Sequence, residues 1–234
     1  MNTTLINNFF KRTHQYDWVT NKEIYLGDSI IESDYESINQ EIGIDLRHSF
    51  NDVFSEHDKF KFILYANDNV ISECTIDGLI MTFNEFGQEH YIHAFDEFGE
   101  EFISFARQFY PLDIYEKACD ETTLVVVKPI TLVNDKMEFW IWNNVGPKYK
   151  LRFETFGEYL ETGISCRFCI FWQYFYLDTK AMDFNDPFTK EWIANNFNGA
   201  TSRMKTALTS MKEHFPKEDW SYQEGELERV KLLE

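Results

Sequence analysis

Positive charge is what this sequence has least of. Its 234 residues hold 22 Lys and Arg against 40 Asp and Glu, a formal net charge of −18. A field of that sign repels nucleic-acid phosphates and anionic lipid, so neither is an expected partner. No run of about 18 apolar residues occurs, so no membrane span is expected. The opening MNTTLINNFFKRTHQ has no basic stretch followed by an apolar one and does not read as a secretory signal. Cysteine is sparse: Cys74, Cys119, Cys166 and Cys169. In a chain of this length without a signal, they read as free thiols in a reducing cytoplasm. No Ser/Gly linker divides the chain. GxSxG, Walker A, HExxH and GxGxxG are all missing, so no motif nominates an enzyme or a cofactor.

What the chain does have is rings and acids. There are 23 Phe, 12 Tyr and 6 Trp, which rules out a disordered chain and predicts a thick, ring-rich core. A chain this long can bury roughly 70% of the surface its unfolded form exposes. The acids are unevenly spread. Residues 1–117 carry 22 acids and 8 bases, whereas residues 118–234 carry 18 and 14. From Glu73 to Glu121 there are 12 acids and only 2 bases, Arg107 and Lys117. Such a surface attracts basic proteins and speeds their encounter, although acidity also serves solubility alone.

Periodicity sets out the expected elements. LINNFFKRTHQYDW (5–18) reads as a short helix and turn. ESDYESINQEIGI (32–44) reads as a helix with Asp34 as N-cap and Gly43 at its end. DLRHSFNDVF (45–54) has one apolar face and reads as a second short helix. KFKFILYAND and NVISECTIDG (59–78) read as strands joined by a turn, continued by GLIMTFNEFG and a further hairpin into EHYIHAF. Phe98, Phe102, Phe105 and Phe109 follow at helical spacing, with Pro111 just past the end. TTLVVVKPITLV (122–133) and MEFWIWNN (137–144) form another hairpin. The pattern Phe-x-x-Phe-Gly occurs three times, at 83, 95 and 153–157. It falls on different local structures with no sustained period, so it is not a structural repeat. The third copy, FETFG, opens a helix whose apolar face is Phe156, Tyr159 and Leu160 and which Gly163 could end. ISCRFCIFWQYFYLD (164–178) is apolar on every side and is expected to be the central helix. DPFTKEWIANNF (186–197) and the stretch marked by Met204, Leu208, Met211 and Phe215 read as two more helices. The tail KEDWSYQEGELERVKLLE is charged and is expected to be mobile. The fold expected is α+β: a mostly antiparallel sheet packed against helices. Residues 1–163 would form the core and residues 164–234 a helical extension packed on it, within one compact domain.

Several constellations deserve weighing for chemistry. Cys166-x-x-Cys169 with His90-x-x-His93 supplies the ligand types of a structural zinc site. Yet His90 and His93 fall on opposite faces of a strand, and both cysteines lie in an apolar run, so core thiols are the simpler reading. A redox use of CRFC would need an exposed, low-pKa thiolate. Carboxylate pairs such as Glu154 and Glu158 are too numerous for sequence to choose a catalytic one. Trp140, Trp142 and Trp172 could line an aromatic pocket for a small ligand or substrate. Lys148, Lys150 and Arg152 alternate in GPKYKLRF, the only basic cluster, and read as one solvated strand face.

YESINQEIGIDLRHSFNDVF (35–54) and FETFGEYLE (153–161), with strands between them, carry a family likeness. In order and character they resemble the SUKH superfamily of bacterial toxin-immunity proteins and relatives of a yeast cell-wall synthesis regulator. The chain differs in having Leu46 where the family has proline and SEHDKFKF where it has a glycine-rich turn. Residues 164–234 lie outside the likeness. The resemblance implies an α+β fold, no catalytic residues and a protein-binding role. Together with the acid bias it yields a first expectation: a non-enzymatic immunity or inhibitor protein that occludes a basic partner. Its contacts would be Glu85, Glu89, Asp96, Glu97, Glu100 and Glu101 among interleaved aromatics. A phage anti-defence protein or nucleic-acid mimic, and an enzyme or small-ligand protein with an aromatic pocket, are the alternatives.

Overall fold

Two residues in left-handed conformation, Asn67 (φ 48°) and Asp68 (φ 67°), turn the chain back on itself after FKFILYA. Asn and Asp tolerate that region better than other side chains, and such turns match the twist of a hairpin. The hairpin joins β2 (Phe60–Ala66) to β3 (Asn69–Ile76), and β1 (Asn21–Leu26) adds antiparallel on the other side of β2. A second antiparallel sheet runs in chain order: β4 (Tyr110–Ile114), β5 (Leu124–Pro129), β6 (Met137–Asn143) and β7 (Gly146–Lys150). The computed structural model describes residues 3–13, 15–28, 31–43, 59–76, 100–115, 117, 124–130, 136–143, 146–179 and 187–232. The expected helix at 45–54 and the hairpin through 83–95 lie outside them.

The helices among the described residues are α1 (Thr3–Thr13), α2 (Glu32–Ile42), α3 (Glu100–Ala106), α4 (Phe156–Ser165), α5 (Pro187–His214) and α6 (Ser221–Lys231). The fold is α+β. In α2, Asp34 serves as the third helical residue rather than the N-cap. Its carboxylate accepts the Ile31 N–H at 2.9 Å, and Gly43 ends the helix at φ 70°. In α4, Thr155 caps the Glu158 N–H while the Glu158 carboxylate accepts the Thr155 N–H, a reciprocal box that fixes the start of FETFGEYLE. No helix among the described residues is long and apolar enough to cross a membrane.

The segment after α4 corrects the sequence reading. Residues 164–178 are central, but they are not an α-helix. Past Ser165, Arg167 (φ 57°), Phe168 (φ 47°) and Phe171 (φ 64°) all take the left-handed conformation, which an α-helix excludes. The chain instead runs from one sheet to the other. Phe168 C=O accepts the Glu73 N–H at 2.9 Å, and the Ile170 N–H donates to Ile71 C=O at 3.0 Å, so the segment covers the edge of β3. A 3₁₀ helix (Trp172–Tyr176) follows. Tyr176 C=O then accepts the Arg152 N–H at 2.9 Å and the Asp178 N–H donates to Lys150 C=O at 2.8 Å, beside β7. Apolar character on every side thus reflects a strap buried between layers, which periodicity cannot tell from a buried helix.

Rings fill the core along this strap. Phe62 meets Phe9 at 4.9 Å and Phe10 at 5.6 Å, and Phe168 meets Phe9 at 5.5 Å. Trp172 packs on Tyr159 at 5.1 Å, and Tyr159 stacks on Phe139 of the second sheet at 5.5 Å. The buried apolar cluster extends from Phe9 to Val230. Two further differences concern the C-terminus. The two expected helices are one, α5, which continues through Gly199, where a Cβ would meet nothing. The charged tail is a packed helix, α6, with Leu227 and Val230 buried and Tyr222 stacked on Tyr176 at 5.5 Å. Arg152 ties it down, donating to Phe175 C=O, Tyr222 Oη and the Glu226 carboxylate.

Gly163 does not end α4. It lies inside the helix, where an added Cβ would overlap the Phe168 ring. Gly163→Ala is therefore expected to destabilise the protein by about 1–3 kcal/mol. Urea unfolding checks this, with Gly199→Ala, whose added methyl meets open space, as the control that should be neutral or mildly stabilising.

Candidate functional site

Of the six acids expected to contact a partner, Glu100 is described and exposed at the start of α3. Glu101 lies in the same helix. Glu85, Glu89, Asp96 and Glu97 lie outside the described residues, as do His90 and His93. The described residues show an acidic surface on another element. Helix α2 carries Glu32, Asp34, Glu36 and Glu41 and no base, with the three glutamates exposed. Just before it stands Ile31, 60% exposed, and Tyr25 on β1 is 54% exposed. They are among the few large apolar side chains so placed.

The zinc and redox readings of the cysteines meet a physical obstacle. Cys166 and Cys169 are fully buried. Loss of hydration pushes the Cys166 thiol up to about 11 and raises that of Cys169 as well. Cys166 Sγ sits 3.6 Å from both Tyr176 Oη and Gln223 Nε2 of α6, as a core thiol does. Among the described residues no three His, Cys, Asp or Glu side chains converge as metal ligands.

The tryptophans do not converge either. Trp142 is buried against Phe109 at 5.4 Å, beside the half-buried Trp140, in a small cluster on one side of the second sheet. Trp172 belongs to the main core. Among the described residues these tryptophans fall in two separate clusters. Two residues of the basic cluster are ion-paired: Lys150 with Glu138 at 3.1 Å and Arg152 with Glu226 at 2.8 Å.

Sequence reasoning missed the densest polar cluster, which lies at the seam between the sheets. Asp113 of β4 has no exposed surface. Its Oδ1 accepts the Thr75 N–H of β3 at 2.8 Å, and its Oδ2 accepts the Tyr159 hydroxyl of α4 at 2.5 Å and the Cys74 thiol at 3.4 Å. Behind Tyr159, Gln173 Nε2 donates to Tyr159 Oη at 3.0 Å, and Tyr115 Oη donates to Gln173 Oε1 at 2.5 Å. Beside it, buried Glu73 accepts the Lys117 N–H at 3.0 and 3.3 Å. Burial raises the Asp113 carboxyl to about 6 against the lowering effect of its three donors. The Cys74, Tyr115 and Tyr159 groups are raised well above their ordinary range, chiefly by the same burial. The signal was present: YPLDIY places one acid in an apolar stretch, where a carboxylate must find partners.

One open groove, of about 770 Å³, lies between the β2–β3 turn and the C-terminal third of α5. Asn67, Asp68 and Asn69 form one wall, and Lys205, Thr206, Thr209, Ser210, Glu213 and His214 the other, with Lys117 alongside. The His214 Nδ1 donates to Ser210 C=O at 3.0 Å, and its ring stands edge-on to Trp18 at 4.8 Å. Asp68, Glu213, Lys117 and Lys205 bring two charges of each sign. None of the four side chains is ion-paired among the described residues.

No family model, no curated protein and no solved structure matches the chain.

Asp113→Ala should leave the Thr75 N–H and the Tyr159 hydroxyl buried and unpaired. A loss of about 2–4 kcal/mol is expected in chemical denaturation. Asp113→Asn retains an acceptor for Thr75 and should cost less. Equal costs for the two would mean that the acceptor role is unimportant.

Proposed function

We propose that the protein is a non-enzymatic binding protein for a basic protein partner, of the immunity or inhibitor kind. The observation that carries this reading is the acid excess: 12 acids against 2 bases from Glu73 to Glu121, repeated on α2 with four acids and no base. An exposed apolar residue, Ile31, stands at the start of this acidic helix, a combination in which charge speeds encounter and an apolar anchor holds. The likeness of residues 35–54 and 153–161 to the SUKH superfamily supports the same role. The densest polar cluster is sealed from solvent and its groups all serve one another, so it speaks for architecture rather than catalysis.

Capture on the immobilised protein from a lysate of its native host tests this. A partner of basic isoelectric point should bind at low salt and be released by about 0.5 M salt, where charges are screened beyond a few ångströms. Replacing Glu32, Glu36 and Glu41 by Lys, together with Glu85, Glu89 and Glu100, should abolish capture while the variant still unfolds in one cooperative transition. Capture that survives both salt and charge reversal would refute the reading. Displacement of the captured partner by DNA would favour the nucleic-acid mimic instead.

The groove beside α5 favours a second reading, a small polar ligand of mixed charge, since its size falls in the range of about 300–1,000 Å³ typical of ligand sites. A saturation-transfer screen of charged metabolites would support it by giving a hit that Lys117→Ala/Lys205→Ala loses. A screen without such a hit would count against it.

A further inference from the structure

We propose that the seam is a proton-operated clasp: one proton taken up by Asp113 reverses the hydrogen-bond chain Asp113–Tyr159–Gln173–Tyr115, and the two sheets are joined most firmly with that proton in place. The chain has a direction. As it stands, Tyr115 donates to Gln173 Oε1, Gln173 Nε2 donates to Tyr159, and Tyr159 donates to Asp113. Every donor points toward the carboxylate, the arrangement that suits its ionised form.

A proton arriving from solvent on Asp113 Oδ2 has the Tyr159 oxygen 2.5 Å away as its nearest acceptor. Once Asp113 donates, the Tyr159 hydrogen must turn to Gln173. A carboxamide can receive it by rotating half a turn, which exchanges its oxygen and nitrogen; its Nε2 then donates to Tyr115 Oη, whose own hydrogen rotates away from Gln173. The Thr75 N–H keeps its acceptor, Oδ1, in both states. No covalent bond other than O–H is made or broken.

Two features of the surroundings favour the protonated state. Asp113 is wholly buried, so its ionised form forgoes hydration. Among the described residues, the groups facing it bring no positive charge. From β3 come the Cys74 thiol, the Thr75 amide and the buried Glu73 carboxyl. From α4 comes Tyr159, and from beside its own strand Tyr115. The direction of the shift, to about 6, agrees.

The sign of the linkage follows. A carboxyl raised on folding binds more protons folded than unfolded. It therefore supports the fold fully below its unfolded value near 4 and loses that support as pH climbs through about 6. Relative to Asp113→Asn, the unfolding constant of the wild type should rise about 50-fold between pH 4 and pH 7. Two measurements on the intact wild-type chain keep the test independent of how that variant folds. By NMR, the Asp113 side-chain carbon should titrate with a midpoint near 6, and the Gln173 side-chain amide signals should move with the same midpoint. A carbon midpoint at or below 4, or Gln173 signals that stay fixed through the carboxyl's titration, would overturn the proposal.

Discussion

The fold depends on one buried carboxylate. The three-stranded and four-stranded sheets share no ladder, yet β3 and β4 lie side by side. The Thr75 N–H at that seam has no strand to pair with, and a buried N–H left open costs as much as a lost hydrogen bond. Asp113 supplies the acceptor. It sits where the register of β4 shifts, between Pro111 and Asp113, so its side chain reaches across where a regular backbone would not. Burying the carboxyl costs hydration. The Tyr159 hydroxyl and the Cys74 thiol offset part of that cost, and α4 is drawn onto the seam as a result.

The strap from 166 to 178 makes the second join. By backbone bonds it covers the β3 edge at one end and lies against β7 at the other. Exposed edges invite pairing with other chains, and one segment here quiets two of them. Its turns require left-handed residues, a strained conformation for Arg167 and Phe168. The close approach of Phe168 over Gly163 and the ring contacts of Phe168 and Trp172 hold them in place. Seam and strap meet at Gln173, which belongs to the strap and extends the Asp113 network.

Much of this was legible in the sequence, and the rest was hidden for physical reasons. The strands β2, β3, β5 and β6 announce themselves by β-branched and aromatic runs, and α2 by its period and Gly43. β1 does not, because NKEIYL is a mostly half-exposed edge strand with little apolar signal. β4 is short and holds a proline. α5 reads as two helices because the apolar spacing lapses between Phe197 and Met204, although the one glycine in that gap, Gly199, costs a long helix only about 1 kcal/mol. α6 is mostly polar because a few buried residues and the Arg152–Glu226 tether hold it. The strap illustrates the limit of periodicity. Uniform apolarity says buried and central, but the choice between helix and turns was decided by backbone bonds to β3 and β7, which no local window contains.

The candidate contact acids show the reverse case: charge bias is plain in the sequence, while its arrangement in space is not. α2 was legible as a helix, but its acidic face with Ile31 at its start became a candidate surface only once exposure was known. The proposed binding role rests on these surfaces, whereas the joining of the two sheets rests on the seam, and amide hydrogen exchange at Thr75 tests the seam most directly. If Asp113 is what closes the seam, the Thr75 amide exchanges only on global unfolding, as slowly as the amides at the centre of β2. A Thr75 amide that exchanges orders of magnitude faster than those would show the seam to be open and contradict the account.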